Sequence, residues 1–470
     1  MNKIYKHQNY FSRLICRIQN KPARLITLSF FFVILAGSLL LTLPCASRSG
    51  ESLGFLKALF TATSAACVTG LVVADTATAW SVFGQIVIIL LIQVGGLGIV
   101  TITTFFFTIM KKRMGLKTMV IAQECTLSFT LEEVRNLLKK IIGVTLSIEA
   151  IGGIILSVRY VPHFGWPGGI YRGFYQSVSA FCNAGFDLMG SYSGHYSSLT
   201  AWNNDPIVII TTGLLIISGG LGFVVWADML NLNKVKGLNF HSKMVLRMTA
   251  IFIFVGMIFF LLAEHGNTSP NAMGTLPPFQ QAVAAFFQSV TTRTAGFNSI
   301  AQSSLNESSK IMSSILMFIG ASPGSTGGGI KITTFSVIIF YIISEIRGNE
   351  EIVMFRRRIS RDTVSKAIII TILALVLVIA DTMLLTFFQR ADIRNNTFTT
   401  LDMLFEVTSA FGTVGLSSAG TSGLYSGSWI VLIITMFIGR VGPASFALAL
   451  SSRGMTPREK IYPEAKIHVG

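Results

Sequence analysis

Apolar runs of about 20 residues recur along the whole chain, near positions 25–43, 80–110, 141–160, 206–226, 244–263, 311–343, 367–388 and 428–450. A helix of that length rises about 30 Å, the thickness of a bilayer's hydrocarbon core, so the pattern predicts eight spans. Between the two members of each consecutive pair lies a shorter segment of another kind. The four read "FTATSAACVTGL" (60–71), "YQSVSAFCNAGF" (175–186), "FFQSVTTRTAGF" (286–297) and "FEVTSAFGTVGL" (405–416). They align without gaps. Each starts with an aromatic residue, is rich in Ser, Thr and Ala, and ends Gly-Leu or Gly-Phe. The shared glycines, Gly70, Gly185, Gly296 and Gly415, recur at intervals of about 115 residues, which marks an internal repeat of span, short segment, span. The repeats divide the chain at 1–117, 118–240, 241–360 and 361–470.

The short segment cannot cross a membrane, because about eleven helical residues rise only about 16 Å. It must enter and return on one side. Irregular backbone at that depth persists only where protein or water satisfies its polar groups, and four copies around a common axis would supply that setting. The predicted class is an all-α, multi-pass membrane protein with eight transmembrane spans and four re-entrant helices around one pore.

Composition agrees with this class. The chain has 470 residues, 51% hydrophobic and 12% charged, against about a quarter charged in soluble domains. The net charge of +16 does not point to nucleic acid, because about three-quarters of the Lys and Arg fall in alternate connecting stretches, as the positive-inside rule requires. That bias puts both termini in the cytoplasm and has the short segments enter from outside. The first run is of spanning length and ends without a small-residue cleavage pattern, so no cleavable leader is expected. The stretch 118–140 is polar enough for a surface helix. Five cysteines, Cys16, Cys45, Cys67, Cys125 and Cys182, form no CxxC pair and read as ordinary small residues.

A short helix that ends on glycine and turns back in extended form can aim its carbonyl groups at an axis. Glycine permits the backbone angles and leaves the axis clear. Four such strands make rings of oxygens able to replace the hydration shell of a monovalent cation. The carbonyl ends of the helices favour a cation as well. One such segment would read as a helix capped by glycine; four gapless copies at constant spacing do not.

On these four strings and their glycines, the whole chain resembles the Trk/Ktr/HKT family of potassium transporters, and within it the membrane subunits of bacterial Ktr systems. Some members carry two additional spans before the first unit; here Gly70 leaves room for one. The resemblance implies that Gly70, Gly185, Gly296 and Gly415 form a selectivity filter, with Val68, Thr69, Asn183, Ala184, Thr294, Ala295, Thr413 and Val414 supplying its other carbonyls. Sodium-preferring plant relatives have serine at the first position; glycine at position 70 favours potassium. The resemblance further implies a homodimer in the cell membrane, bound to a cytoplasmic ring of KtrA-type subunits that sense ATP and ADP. Sodium coupling, known in the family, is left open, and no organic cofactor is expected on this chain.

The strip "GASPGSTGGGIKI" (320–332) stands out among apolar runs. A phosphate-cradling loop needs Gly-Lys-Ser/Thr, whereas Gly329 is followed by Ile330, Lys331 and Ile332, so that motif fails. The strip interrupts the second span of repeat three. In the family this is an intramembrane gating loop. The expected gate residues are Gly324, Ser325, Thr326, Gly327, Gly328, Gly329 and Lys331, together with Arg440 from "MFIGRVGPASF" (436–446). An arginine at that depth needs a partner or a task; it is expected to hydrogen-bond the loop. Ser322, Ser325 and Thr326 are expected to serve the loop's unpaired backbone.

Glu149 and Asp381 lie within spans; pairing with a hydroxyl or basic group is favoured over a proton relay. Asp75 and Asp187 follow their glycines closely, and either draw cations to the outer mouth or make structural hydrogen bonds. The histidines, including His241 and His265, show no metal-ligand spacing. The basic run "FRRRISR" (355–361) suits membrane lipid headgroups, or docking of a regulatory subunit. No cluster of catalytic groups points to an enzyme. Carriers of organic solutes commonly use inverted repeats; here all four units enter in the same direction.

Overall fold

The computed structural model describes residues 22–98, 131–231, 237–349, 351–355 and 357–443. The two termini, Cys16, Cys125, residues 118–130 of the surface-helix expectation and the far ends of the runs 80–110 and 428–450 lie outside the described residues. The described residues are helical, with one two-stranded hairpin among them.

Helix α1 (Pro22–Thr42) leads to the short α2 (Phe55–Ala66), whose residues Phe60 to Ala66 are all buried. Helix α3 (Val82–Leu97) starts on Ser81, whose hydroxyl accepts the Gly84 N–H at 3.3 Å, and stops at Gly98. The helical stretch α4 (Leu131–Phe181) consists of two arms that meet at Gly165 (φ 71°, ψ 170°), between Pro162 and Pro167. Its second arm folds back on the first. A Cβ at Gly169 would come within 2.5 Å of the Val161 nitrogen, and one at Gly173 within 2.7 Å of the Ser157 nitrogen. Only glycine allows backbones to lie that close, so the run 141–160 and the string 175–186 form a hairpin of helices.

Helix α5 (Pro206–Gly220) and α6 (Phe223–Leu230) meet at 94°. Then follow α7 (Phe240–Glu264), the short α8 (Pro278–Thr291), α9 (Glu307–Phe318), α10 (Ile332–Ile346), and the hairpin of β1 (Val353–Met354) and β2 (Arg357–Arg358). The chain continues through α11 (Arg361–Phe388), the short α12 (Thr400–Gly412) and α13 (Ser426–Val441). A reciprocal capping box between Thr399 and Asp402 starts α12, and Lys310 of α9 holds the same Asp402 at 2.8 Å.

Among the described residues three helical stretches, Lys140–Phe181, Phe240–Glu264 and Arg361–Phe388, are long and apolar enough to cross a membrane, and α5 with α6 makes a fourth if the bent pair is one span. Four more apolar helices are shorter. The runs 80–110 and 428–450 continue beyond the described residues. Elsewhere the difference from eight uninterrupted runs has a physical cause, and in units one, two and four the second helix ends or bends at a glycine. Gly98, Gly222 and Gly442 adopt φ 82°, 92° and 90°, angles that end a right-handed helix. Between α9 and α10 a whole loop intervenes.

Helices pack around a closed circuit: α2 on α3, α3 on α4, α4 on α5, α5 on α8, α8 on α7, α7 on α9, α9 on α12, α12 on α13, and α13 back on α2. The short helices sit innermost and are buried, whereas α1, α7 and α11 expose Phe31, Phe32, Phe254, Leu262 and Val376 outward. The two carboxylates expected within spans are paired. Asp381 accepts the Thr435 hydroxyl at 2.7 Å, and Glu149 accepts the Gln93 amide at 3.1 Å, an amide where a hydroxyl or basic partner was expected.

Candidate functional site

The four strings place their ends together at the centre. After each short helix comes a residue of left-handed φ: Val68 (57°), Asn183 (59°), Thr294 (71°) and Thr413 (49°). Two residues later stands the glycine, again left-handed: Gly70 (93°), Gly185 (68°), Gly296 (82°) and Gly415 (96°). In an ordinary strand carbonyls alternate in direction. Left-handed angles at every second residue rotate the peptides so that successive carbonyls share one side. Non-glycine residues resist this conformation, so something must hold it. In three strings a serine does. The Thr69, Ala184 and Val414 N–H groups donate to the carbonyls of Ser64, Ser179 and Ser409, each at 2.8 Å. The hydroxyls of Ser64 and Ser409 accept the Gly70 and Gly415 N–H groups at 3.1 and 3.0 Å, and that of Ser179 accepts Phe186 N–H at 3.1 Å. The third string has Val290 there, and Thr291 substitutes: its carbonyl accepts Ala295 N–H at 3.0 Å and its hydroxyl donates to the Phe297 carbonyl at 2.8 Å.

The glycines abut one another in order. A Cβ on Gly70 would sit 2.5 Å from the Ala184 carbonyl oxygen, and one on Gly185 would sit 2.9 Å from that of Ala295. A Cβ on Gly296 would overlap the Val414 oxygen, and one on Gly415 that of Thr69. Each strand therefore touches the next, and the fourth returns to the first. The ring leaves no room for a side chain at any of the four positions.

Above the ring a cavity of about 470 Å³ opens, lined by the four glycines and by Asp75 and Asp187. Asp75 accepts the N–H groups of Ala77, Thr78 and Tyr196 at 3.0–3.1 Å, which makes it the brace of this rim. Asp187 accepts Met189 N–H at 2.9 Å, and burial, with the Asp75 charge adding to it, raises its carboxyl to about 6.

Below the ring lies the loop 320–331. It leaves α9 in extended form, with Ile319 and Ile330 bridged in parallel and Gly320 N–H on the Ile330 carbonyl at 2.8 Å. Its backbone is tied to the kink between α5 and α6: Ser322 N–H donates to Gly220, Thr326 N–H to Gly219, and Phe223 N–H to Gly324 (3.2, 3.3 and 2.8 Å). The Thr326 hydroxyl donates to the Phe181 carbonyl at 3.2 Å, Ser325 to Ser322 at 2.6 Å, and Lys331 Nζ folds back to the Gly327 carbonyl at 2.8 Å. Gly327 and Gly328 press directly against the Thr294 and Thr413 hydroxyls, where any Cβ would overlap them. Gly329 (φ 66°) completes the turn. Arg440 reaches this loop: one guanidinium nitrogen donates to the Thr326 carbonyl, the other to Gly95 and, at 3.4 Å, to Gly96. It spans from the end of α3 to the loop, across the space under the ring.

Two features carry little signal in the strings alone. The carbonyl partners of Arg440 and of the loop come from "QVGGLG" (93–98) and "ISGGLG" (217–222), which align with "FIGASP" (318–323) and "FIGRVG" (437–442). Gly95, Gly219 and Gly439 each lie on the last carbonyl region of a short helix, where a Cβ would overlap Ala66, Phe181 or Phe411 oxygen. Glu406, a carboxylate buried inside α12, takes the hydroxyls of Ser417 and Thr421 and so ties down the strand leaving the ring. Its signal was one acid within an otherwise uncharged string. Among the described residues no group of His, Cys, Asp and Glu is arranged to hold a metal ion.

Comparison with known proteins bears on this arrangement. Residues 3–461 match the family described as TrkH, cation transport protein. The Ktr system potassium uptake protein B of Bacillus subtilis is 37% identical over 97% of this chain and 99% of its own. The potassium/sodium uptake protein NtpJ of Enterococcus hirae is 39% identical over 96% of this chain and 97% of its own. The crystal structure of the potassium transporter TrkH from Vibrio parahaemolyticus superposes with a TM-score of 0.66 over 90% of this chain and 85% of that one, at 16% identity, which speaks for a common fold. With a helical membrane fold, a central ring of glycines and a match over nearly its whole length, the chain belongs to the TrkH family of cation transport proteins and is a transporter, not an enzyme.

Proposed function

We propose that the protein carries potassium into the cell through the ring of Gly70, Gly185, Gly296 and Gly415. The observation that carries this reading is the closed contact of the four glycines, flanked by left-handed Val68, Asn183, Thr294 and Thr413. Carbonyls of these residues and of Thr69, Ala184, Ala295 and Val414 would replace water around a dehydrated cation. The short helices contribute their negative ends. A membrane potential of about 100 mV supplies about 2.3 kcal/mol per charge, enough for about fifty-fold accumulation.

In this reading the chain crosses the membrane eight times in four repeats, with both termini in the cytoplasm and the 470 Å³ cavity facing outside. Loop 320–331 is the gate. It occupies the inner side of the ring, and Arg440 latches it while adding positive charge where a cation would leave. The gate answers to a cytoplasmic partner that binds ATP and ADP, and the chain acts as a homodimer; the Ktr names of the relatives support a multi-subunit system. The name of the Enterococcus hirae relative supports a role for sodium.

The test is uptake in a potassium-transport-deficient cell. Gly70→Ser is expected to cut the preference for potassium over sodium at least about tenfold, a change of about 1.4 kcal/mol. Unchanged preference and affinity would remove the filter assignment. Measuring the same uptake with and without external sodium decides the coupling.

A further inference from the structure

On the mouth side, between the first and second units, a cavity of about 490 Å³ opens beside the start of α3. Arg48 and Arg172 both line it, and among the described residues neither has a carboxylate within 4.0 Å. The Arg172 guanidinium lies 4.2 Å above the Phe164 ring and donates to Ser191 Oγ at 3.2 Å, while its contacts to the Leu188 and Gly168 carbonyls are long, 3.4 Å each. It is held in place with donor capacity to spare. The N-terminus of α3 supplies the third feature. Ser81 and Val82 line the cavity, Ser81 caps Gly84, and among the described residues the N–H groups of Val82 and Phe83 have no acceptor. Two arginines without a carboxylate partner and a helix N-terminus around one cavity make a favourable field for an anion.

The remaining walls are apolar: Ala77, Trp80 and Leu188. The helix surface running from it, Val82, Phe83 and Ile86, is exposed and hydrophobic. A free anion would use the first half of this surface and leave the second unused. We infer that the cavity binds the phosphate of an anionic phospholipid headgroup, with its acyl chains lying along Val82, Phe83 and Ile86. The assignment of this lipid to the outer leaflet rests on the orientation in the proposed function; the site itself does not. Arg172 sits close to the rim segment 185–193, since it contacts Leu188 and Ser191. An occupied headgroup would therefore brace the loop that carries Asp187.

The test is native mass spectrometry of the purified full chain, stripped of lipid and titrated with phosphatidylglycerol, phosphatidylcholine of the same chain length, or inorganic phosphate. The wild type should bind one phosphatidylglycerol at least about tenfold more tightly than Arg48→Gln/Arg172→Gln, and more tightly than phosphatidylcholine. Arg48→Lys/Arg172→Lys should retain most of the binding, which separates lost charge from lost folding. Equal binding by wild type and the Gln variant overturns the site. Displacement of the lipid by an equal concentration of inorganic phosphate assigns the cavity to the free ion and overturns the lipid. Stabilisation by potassium, read on the same samples from melting temperature, keeps the two readings apart: a chain that ignores potassium but still discriminates the lipid removes the transport proposal alone.

Discussion

The third unit and the other three solve the same packing problem differently. In units one, two and four the helix after the ring stops at Gly98, Gly222 or Gly442 with nearly the same angles, and a glycine three residues earlier lies on the carbonyl of a short helix. In unit three Gly320 instead meets its own loop, at Gly328, and Pro323 stands where the other three have the terminating glycine. The string before it also departs, with Val290 for serine and Arg293 buried behind the ring, its guanidinium on the Thr249 carbonyl at 3.2 Å. The fourth unit departs too: Arg440 occupies the position of Gly96, Gly220 and Ala321. The two departures meet, because Arg440 holds the loop of unit three. In the proposed reading a near-symmetric ring would select, and breaking the symmetry on one side of it would give a part able to move without disturbing the ring.

Removing the loop's own asymmetry has the largest expected effect. Deleting residues 324–329 takes out the segment pressed on Thr294 and Thr413, and potassium flux should rise about tenfold or more, with regulation by a cytoplasmic partner weakened. Unchanged flux in a folded deletion would reduce the loop to a helix break. Arg440→Gly makes unit four resemble units one and two. Charge-assisted hydrogen bonds of about 1.5–3 kcal/mol each are lost, so flux should rise several-fold while the preference for potassium stays, which a two-ion uptake assay reads. Arg440→Lys should fall between, since one ammonium cannot fork to Thr326 and Gly95 together.

The braces of the ring give a smaller contrast. Ser409→Ala and Thr291→Val remove hydroxyls worth about 1 kcal/mol each, and should lower potassium affinity by about fivefold. If only the serine matters, the third strand is held by its backbone contact alone. The smallest effect is at the mouth. Asp187, raised to about 6 by burial and by Asp75, is charged at pH 7.5 and mostly neutral at pH 5.5. Lower external pH should therefore weaken potassium affinity about twofold, with Asp75 as the charged neighbour that Asp187 feels and the buried phenols of Tyr160 and Tyr175 facing it uncharged. Asp187→Asn should have the weaker affinity at both pH values and lose the dependence.

Much of this was legible early because the signals repeat. Four gapless strings locate Gly70, Gly185, Gly296 and Gly415, and a fourfold coincidence outweighs the ambiguity of any one string. The loop 320–331 announces itself by glycine content in an apolar setting. The breaks after the ring were not legible from hydropathy. Gly98, Gly222 and Gly442 sit inside apolar runs, and glycine is common in membrane helices, so a run such as 206–226 reads as one span although its helix turns by 94°. Glu149 shows the same limit: an acid in an apolar run implies a partner, but Gln93 lies on another helix and nothing in either segment names the other.

The sequence alone determined the class of the protein, the count and position of the ring glycines, and the presence of a polar loop and a lone arginine in apolar surroundings. These follow from local rules: run length against bilayer thickness, and the backbone freedom of glycine. Only the tertiary structure decided that the four strands close on each other in order, that the loop lies against Thr294 and Thr413, and that Arg440 bridges it to Gly95. Those contacts join residues far apart in the chain through backbone carbonyls, which every residue carries, so no side-chain pattern could encode them.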